Sequence, residues 1–521
     1  MPTTVVEAPE PRLAAAAPQD DSDPKRFRAL AVIALAQLMI VLDASVVIVA
    51  LPSAQHALHM SVADRQWVVT CYTLAFGTLL LLGGRLADYL GRRRMFIIGL
   101  LGFAVSSALG GMAQDAAMLF GARALQGAFA AVMAPAALSL LTTTFTETKE
   151  RARAFGVYGA ISGGGAAIGL VLGGALTQFA SWRWVLLINV PIAIFAAISA
   201  RRVVHESRGA GKGSYDLIGA AMVTGALFML VYGFSTAGTN GWSAPTTLAL
   251  LAAAVVSLGL FVVIELRSAH PLFAMRVVLD RNRGGSFLAS LLVGCALLGT
   301  FLFLTYFFQG TLHYSVLKTG FAFVPFSIGI VVGATFSSRL LPRVGPRALM
   351  LAGLTAAALG LVLFTRVTAD SSYLTLLLPA ELIVSVGMGA TFVPMNSTAL
   401  VGVEPKDAGM ASALVNTTQQ VGNSLGTALL NTVAASAAAS FVLAHPHVSD
   451  VSRSALVHGY TTGFSVSAGL VLAAAVTVGL LVKARRSDVA PGTDEELSRL
   501  LEAATAEVTD EPDLVLNGEP A

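Results

Sequence analysis

"GRLADYLGRRR", Gly84–Arg94, is a short island of charge in an apolar region. It lies between two uncharged runs, 66–84 and 95–113, each long enough to cross a bilayer. A related string, "SRLLPRVGPRA", Ser338–Ala348, stands between the runs 320–341 and 348–365. Aligned without gaps, Arg85 and Arg339, Leu86 and Leu340, Gly91 and Gly345, and Arg93 and Arg347 coincide. Repeated halves of this kind are a transporter trait.

Working outward, the hydrophobic pattern predicts fourteen spanning helices. They run over 29–51, 66–84, 95–113, 117–141, 154–178, 184–200, 217–234, 247–265, 286–308, 320–341, 348–365, 374–396, 409–434 and 461–482. Eight spans separate the two related strings. The simplest plan is six plus two plus six, an all-α membrane protein with pseudo-symmetric halves. It divides into a cytoplasmic tail (1–28), an N-terminal six-helix half (29–200), two inserted helices with flanking loops (201–285), a C-terminal six-helix half (286–482) and an acidic tail (483–521). Within that tail, Thr493 and Glu496 form a capping box ahead of Leu497.

An even span count puts both tails on one side, and the basic residues say which. Of 33 Lys and Arg, only Arg65, Arg183, Lys318, Arg366 and Arg453 fall on the other side, and Arg123 falls within a span. Positive residues mark the cytoplasmic face, so both termini are expected there, in the cell membrane. Trp67, Trp182, Trp184 and Trp242 all lie near the opposite interface. The chain is 55% hydrophobic and 12% charged, against about 25% charged for soluble domains. A net charge of +3 gives no reason to expect nucleic acid. Cys71 and Cys295 both lie in apolar runs and offer no disulfide or metal framework. "GAGKGS", Gly209–Ser214, fails as a phosphate loop, because Glu206 stands where a glycine is needed and no strand precedes it. No catalytic signature is present, so an enzyme is not expected. The small loops also argue against a receptor with a soluble domain.

Three ionisable residues lie deep inside spans: Asp43, Arg123 and Glu381. Counting residues from the outer ends places them roughly 12, 9 and 10 Å deep, in one layer. A charge at such depth costs about 2.5–3.5 kcal/mol even on the lenient insertion scale. A buried Asp43–Arg123 pair is the economical arrangement. It is either a static structural pair or a proton-coupling site, and Glu381 is open to both readings too.

"GRLADYLGRRR" resembles the loop motif of the major facilitator superfamily, Gly-x-Leu-Ala-Asp-x-x-Gly-Arg-Arg/Lys-Arg. It matches at Gly84, Leu86, Ala87, Asp88, Gly91, Arg92, Arg93 and Arg94. The resemblance implies a gating latch built from Gly84, Arg85, Asp88, Gly91, Arg92 and Arg93. The plain alternative is a charged anchor at the cytoplasmic face. "LDASVV" through "ALP", Leu42–Pro52, resembles the first-helix motif of the fourteen-span drug:proton antiporters, the EmrB/QacA branch. "RALQGAFAA", Arg123–Ala131, resembles the fourth-helix motif, and "SWRWVLLINVPI", Ser181–Ile192, a string common in this branch. Span five matches the antiporter motif at Gly156, Gly165, Gly169, Gly173 and Gly174, with Leu170 in place of its proline. Small residues at these places also serve close helix packing.

The family fold lines its cavity with the first and fourth helices of each half, here spans one, four, nine and twelve. Each deep charge falls on one of them. Gln126, Phe301, Thr305 and Phe308 are the candidate substrate contacts, the last three forming a face that could equally pack on lipid. His445, His447 and His458 are expected in a solvated outer loop. The resemblance implies a monomeric proton-coupled efflux antiporter for a small lipophilic drug or antibiotic. It would be driven by the proton gradient, with no bound cofactor or metal, and surrounded by membrane lipid. A uniporter or an exporter of another amphipathic compound, such as a lipid, is the alternative on the same fold.

Overall fold

The computed structural model describes residues 25–145, 148–207, 217–267, 275–403, 408–445 and 450–489. The Thr493–Glu496 capping box, the GAGKGS string and His447 lie outside the described residues. All regular structure among the described residues is helical. Fourteen helices have fifteen residues or more. The first six are α1 (Lys25–Ala57), α2 (Trp67–Leu90), α3 (Arg92–Gly111), α4 (Ala116–Thr144), α5 (Thr148–Phe179) and α6 (Asn189–Val203). Two follow, α7 (Leu217–Asn240) and α8 (Pro245–Arg267). The last six are α9 (Arg281–Tyr306), α10 (Val324–Val344), α11 (Pro346–Phe364), α12 (Leu378–Leu400), α13 (Ala408–Ala444) and α14 (Val451–Leu481).

Among the described residues, eleven helical segments are long and apolar enough to cross a membrane. A twelfth is added if Trp67–Leu80 and Leu82–Leu90, bent by 53°, count as one span. Of the fourteen expected spans, α5 and α7 contribute, among the described residues, only the shorter apolar stretches Gly165–Phe179 and Ala221–Ala237.

Local chemistry explains the helix ends. Asp115 accepts the Met118 N–H at 2.8 Å to start α4, and Asp280 accepts from Asn282 and Arg283 to start α9. Acids here satisfy orphan donors and favour the helix dipole. The charged strings are not loops, contrary to expectation. Gly84–Leu90 continues α2, and Arg92 already begins α3, so the connection is Gly91 alone. Its φ of +107° lets the chain turn in one residue. Gly345 does the same between α10 and α11, with φ +85°. The His445–His458 segment is also shorter than expected. α13 runs on through an Ala/Ser stretch to Ala444 and α14 starts at Val451, which places His458 on a helix.

The packing has a repeating pattern. α2 and α3 lie on α4, α1 lies on α5 and α6, and α3 lies on α6. Likewise α10 and α11 lie on α12, α9 lies on α13 and α14, and α11 lies on α14. Across these groups, α2 meets α13 and α5 meets α10. α7 pairs with α8 and rests on both α2 and α13. One core cluster gathers Ile33, Met39, Phe96, Phe103 and Met133 from the first group. Another gathers Met350, Leu361, Phe364 and Phe464 from the second, together with Val46–Leu51 at the far end of α1.

Candidate functional site

Asp43 and Arg123 meet, as their depth suggests. Arg123 Nη1 donates to Asp43 Oδ2 at 2.7 Å. Asp43 Oδ1 accepts from Gln126 Nε2 at 2.7 Å and from Asn189 Nδ2 at 2.9 Å. Gln126 also donates to Ser107 Oγ at 2.8 Å and accepts from Arg123 at 2.6 Å. Arg123 Nε donates to the Val68 carbonyl at 3.1 Å, and the guanidinium lies 4.3 Å over the Tyr72 ring. Asp43, Arg123, Gln126 and Asn189 are each 1% exposed. The network therefore ties α1, α2, α3, α4 and α6 together inside the first helix group. The space beside Arg123 is about 10 Å³, room for one water at most. Gln126, expected against substrate, instead holds the carboxylate.

Glu381 does not join them. It is fully buried on α12, among the second helix group. Its Oε2 accepts from the Tyr373 hydroxyl at 3.4 Å, and its Oε1 has no hydrogen-bond partner among the described residues. Tyr373 begins a π-helical turn, Tyr373–Leu377, and donates to the Ala322 carbonyl at 2.7 Å. A second π turn, Phe307–Thr311, follows α9. Phe308, in that turn, packs edge-on to Tyr373 and Phe323 and stacks on Tyr314. Phe301 meets Phe323 and Phe326 at centroid distances of 5.4 and 4.5 Å. Thr305 and Phe308 are fully buried and Phe301 partly so. Phe301 and Phe308 share one aromatic cluster through Phe323, just before α10, and Thr305 donates to the Phe301 carbonyl at 2.9 Å.

The glycines of α5 bring α1 close. A Cβ at Gly165 would stand 3.1 Å from Val41, and one at Gly173 2.9 Å from Val46, while Gly169 abuts Ser45. Gly174 faces the other way, 2.8 Å from Leu317. Gly156 lies nearer the start of α5. These contacts clamp α1 on both sides of Asp43. Leu170 in the motif's proline position is buried, and its carbonyl meets Gly320.

At the α2–α3 turn, Asp88 Oδ1 accepts from Arg92 Nε and Nη2 at 2.9 and 2.8 Å. Glu206, just beyond α6, accepts the backbone N–H of Arg93 and Arg94 at 3.0 and 3.1 Å. It caps α3, and a Cβ on Gly91 would strike its carboxylate at 2.8 Å. Gly84 packs on Pro135, and Arg85 is exposed. Arg347, the counterpart of Arg93, reaches the Gly479 carbonyl at 2.6 Å, near the end of α14. Sequence reasoning missed Asn189, Ser107, Tyr72 and Glu206. The signal that could have found Asn189 is a lone amide in an apolar run.

The family model described as Major Facilitator Superfamily matches residues 33–427. The chain belongs to the major facilitator superfamily. It is thus a multi-pass membrane transporter, not an enzyme. This facilitator is 48% identical over 466 residues to the puromycin resistance protein of Streptomyces alboniger, covering 89% of this chain and 92% of that protein. It is 42% identical over 412 residues to the cephamycin export protein of Amycolatopsis lactamdurans, covering 78% and 85%. A tetracenomycin C resistance and export protein of Streptomyces glaucescens is 33% identical over 410 residues, covering 78% and 76%. Among solved structures, a bacterial homologue of the human lysosomal transporter Spinster matches with a TM-score of 0.62 and 16% identity, over 90% of this chain and all of that one. That likeness speaks for the fold.

Proposed function

We propose that this facilitator is a proton-coupled exporter of a lipophilic antibiotic, working by alternating access in the cell membrane. The observation that carries the reading is the 48% identity to a puromycin resistance protein over nearly the full length of both. The cephamycin and tetracenomycin relatives widen the substrate class beyond one chemistry.

The repeating packing favours fourteen spans laid out as six plus two plus six, with the halves and tails divided as the sequence suggests. Each main helix pair of the first six recurs eight helices later. Two contacts between halves, α2 with α13 and α5 with α10, exchange under the same shift. The α2–α3 and α10–α11 turns each dock on the chain near the end of their half's sixth helix. In this layout the Gly91 and Gly345 turns face the cytoplasm with both termini. Substrate and proton then move in opposite directions through the seam between halves, as a monomer and with the proton gradient as energy source. Glu206 ties the end of α6 to the start of α3, which suits the latch role of this turn. A deep carboxylate must gain and lose the proton, and Asp43 and Glu381 are the candidates.

Expression in an antibiotic-sensitive host tests this directly. Puromycin and a panel of lipophilic antibiotics should accumulate less in expressing cells, and a protonophore should restore accumulation. Unchanged accumulation of the whole panel would exclude export. Lower accumulation that a protonophore leaves untouched would exclude proton coupling.

A further inference from the structure

We infer that the proton exchanged in each cycle is carried by Glu381, positioned by Tyr373, while the Asp43–Arg123 pair stays fixed. This deepens the proton-coupled reading and rests on it.

The repeat shows what Glu381 replaces. Ala75 and Gly329 each stand sixteen residues before their turn glycine, Gly91 or Gly345. Ala75 meets Gly127, and Gly329 meets Ser385. Gly127 and Ser385 each lie four residues after a deep charge, Arg123 in one half and Glu381 in the other. The two charges therefore occupy equivalent places on α4 and α12. The match extends to the backbone. Val68 and Ala322 each stand twenty-three residues before their turn glycine. The Val68 carbonyl accepts from Arg123, and the Ala322 carbonyl accepts from Tyr373. In the second half a phenol has taken over the guanidinium's carbonyl, and an acid has taken over its place on the helix.

The consequences differ sharply between the halves. Asp43 has a cation and two amides on its two oxygens. Protonating it would strand Arg123 at depth, a loss of the kind that makes breaking a buried pair severe. Glu381 has no ion pair among the described residues, and Oε1 is open. Tyr373 has one O–H and two neighbours for it. With that proton on Ala322, the phenol oxygen can accept from a protonated Glu381. With Glu381 charged, the phenol can turn its proton to the carboxylate. The pair thus has a hydrogen bond available in each protonation state. Buried polar groups lacking partners are rare enough to need a reason.

The backbone around this pair is irregular. The π turns Phe307–Thr311 and Tyr373–Leu377 and the break at Phe323 converge there, with Phe308 touching both Tyr373 and Phe323. Single π turns within helices often mark functional sites. Other polar groups nearby are committed elsewhere. Lys318 lies 3.7 Å over the Tyr314 ring. Arg453 donates to the Thr311 and Ala369 carbonyls. Tyr306, at the end of α9, lies under Arg65. In the cycle, water on the outer side gives one proton to Glu381. Cytoplasmic water later receives that proton, and the carboxylate is restored. The substrate is unchanged covalently.

Infrared difference spectra of the purified full chain between low and high pH provide a readout independent of substrate. Wild type should show a titrating carboxylic-acid C=O band. Glu381→Gln should lose it, Asp43→Asn should keep it, and Tyr373→Phe should shift its frequency. A band that survives Glu381→Gln, or disappears with Asp43→Asn, overturns the assignment. In proteoliposomes with puromycin as probe, Glu381→Gln should abolish proton-driven uptake while keeping puromycin counterflow, which also shows that the variant is folded. Glu381→Asp should restore part of the driven flux. Driven uptake in Glu381→Gln equal to wild type would also overturn the assignment. If wild type moves puromycin but never with protons, the proton-coupled reading falls and this inference falls with it. A titrating Glu381 band would then stand only as chemistry of the site.

Discussion

Asp43 accepts from three side chains on two helices other than its own, so each variant around it removes a definable part. Arg123→Ala leaves the carboxylate without its cation, and the expected loss is about 3–5 kcal/mol of stability. Asn189→Ala removes one neutral donor to a charged group, and about 1.5–3 kcal/mol should go. The double variant Asp43→Asn/Arg123→Gln should melt closer to wild type than Arg123→Ala does. Melting temperatures in detergent check all three, and a double variant no better than Arg123→Ala would argue against a structural pair. The two charges and their meeting were legible in the sequence, because a charge in a long apolar run has few affordable arrangements. Their neutral partners were not. A serine inside a helix usually bonds its own backbone, as Ser106 does with Gly102, and nothing in the string separates Ser107 from it. Glu381 was legible as a deep charge. Its isolation was not, because the distance between α12 and α1 depends on how the helix groups pack.

At the scale of helices, the turn glycine and its cap carry the clearest expectation. Gly91→Ala meets both a positive φ and the Glu206 carboxylate, so about 1–2 kcal/mol of backbone strain is added before any clash. Glu206→Ala removes the cap of α3, a loss of about 1 kcal/mol. Both variants should express, and both should slow drug export at matched protein levels. Wild-type export from each would leave the turn only a charged anchor. Helix identity was readable from hydropathy almost throughout. The ends were not, because hydropathy falls off before the helix does. The charged ends of α2 and α10 and the Ala/Ser end of α13 are helical by hydrogen bonding alone. The break before α10 and the two π turns left no signature in the string.

For the whole molecule, orientation and closure can be examined together, in a background where Cys71 and Cys295 are replaced. A cysteine at Asn240 should react with a membrane-impermeant thiol reagent in intact cells, and one at Arg486 should not. The reverse result would invert the topology. On the Asn240 side the two halves are joined by Gln309 donating to the Val49 carbonyl at 3.0 Å, and by Arg65 stacked 3.3 Å over Tyr306. Arg65→Ala should loosen that closure, and a cysteine at Val47 should then label faster from outside. No change in labelling rate would mean that apolar packing alone holds this end. The repeated charged string foreshadowed the repeating helix contacts, whereas nothing in the string told which helices α7 and α8 pack against. α7 rests on α2 and α13 together, over one of the two flanks where the halves meet. No inserted helix packs on the other flank, α5 against α10, among the described residues. Under the proposed alternating access, acyl chains would border the interface between halves at that open flank, which would offer a solute dissolved in the bilayer a lateral doorway.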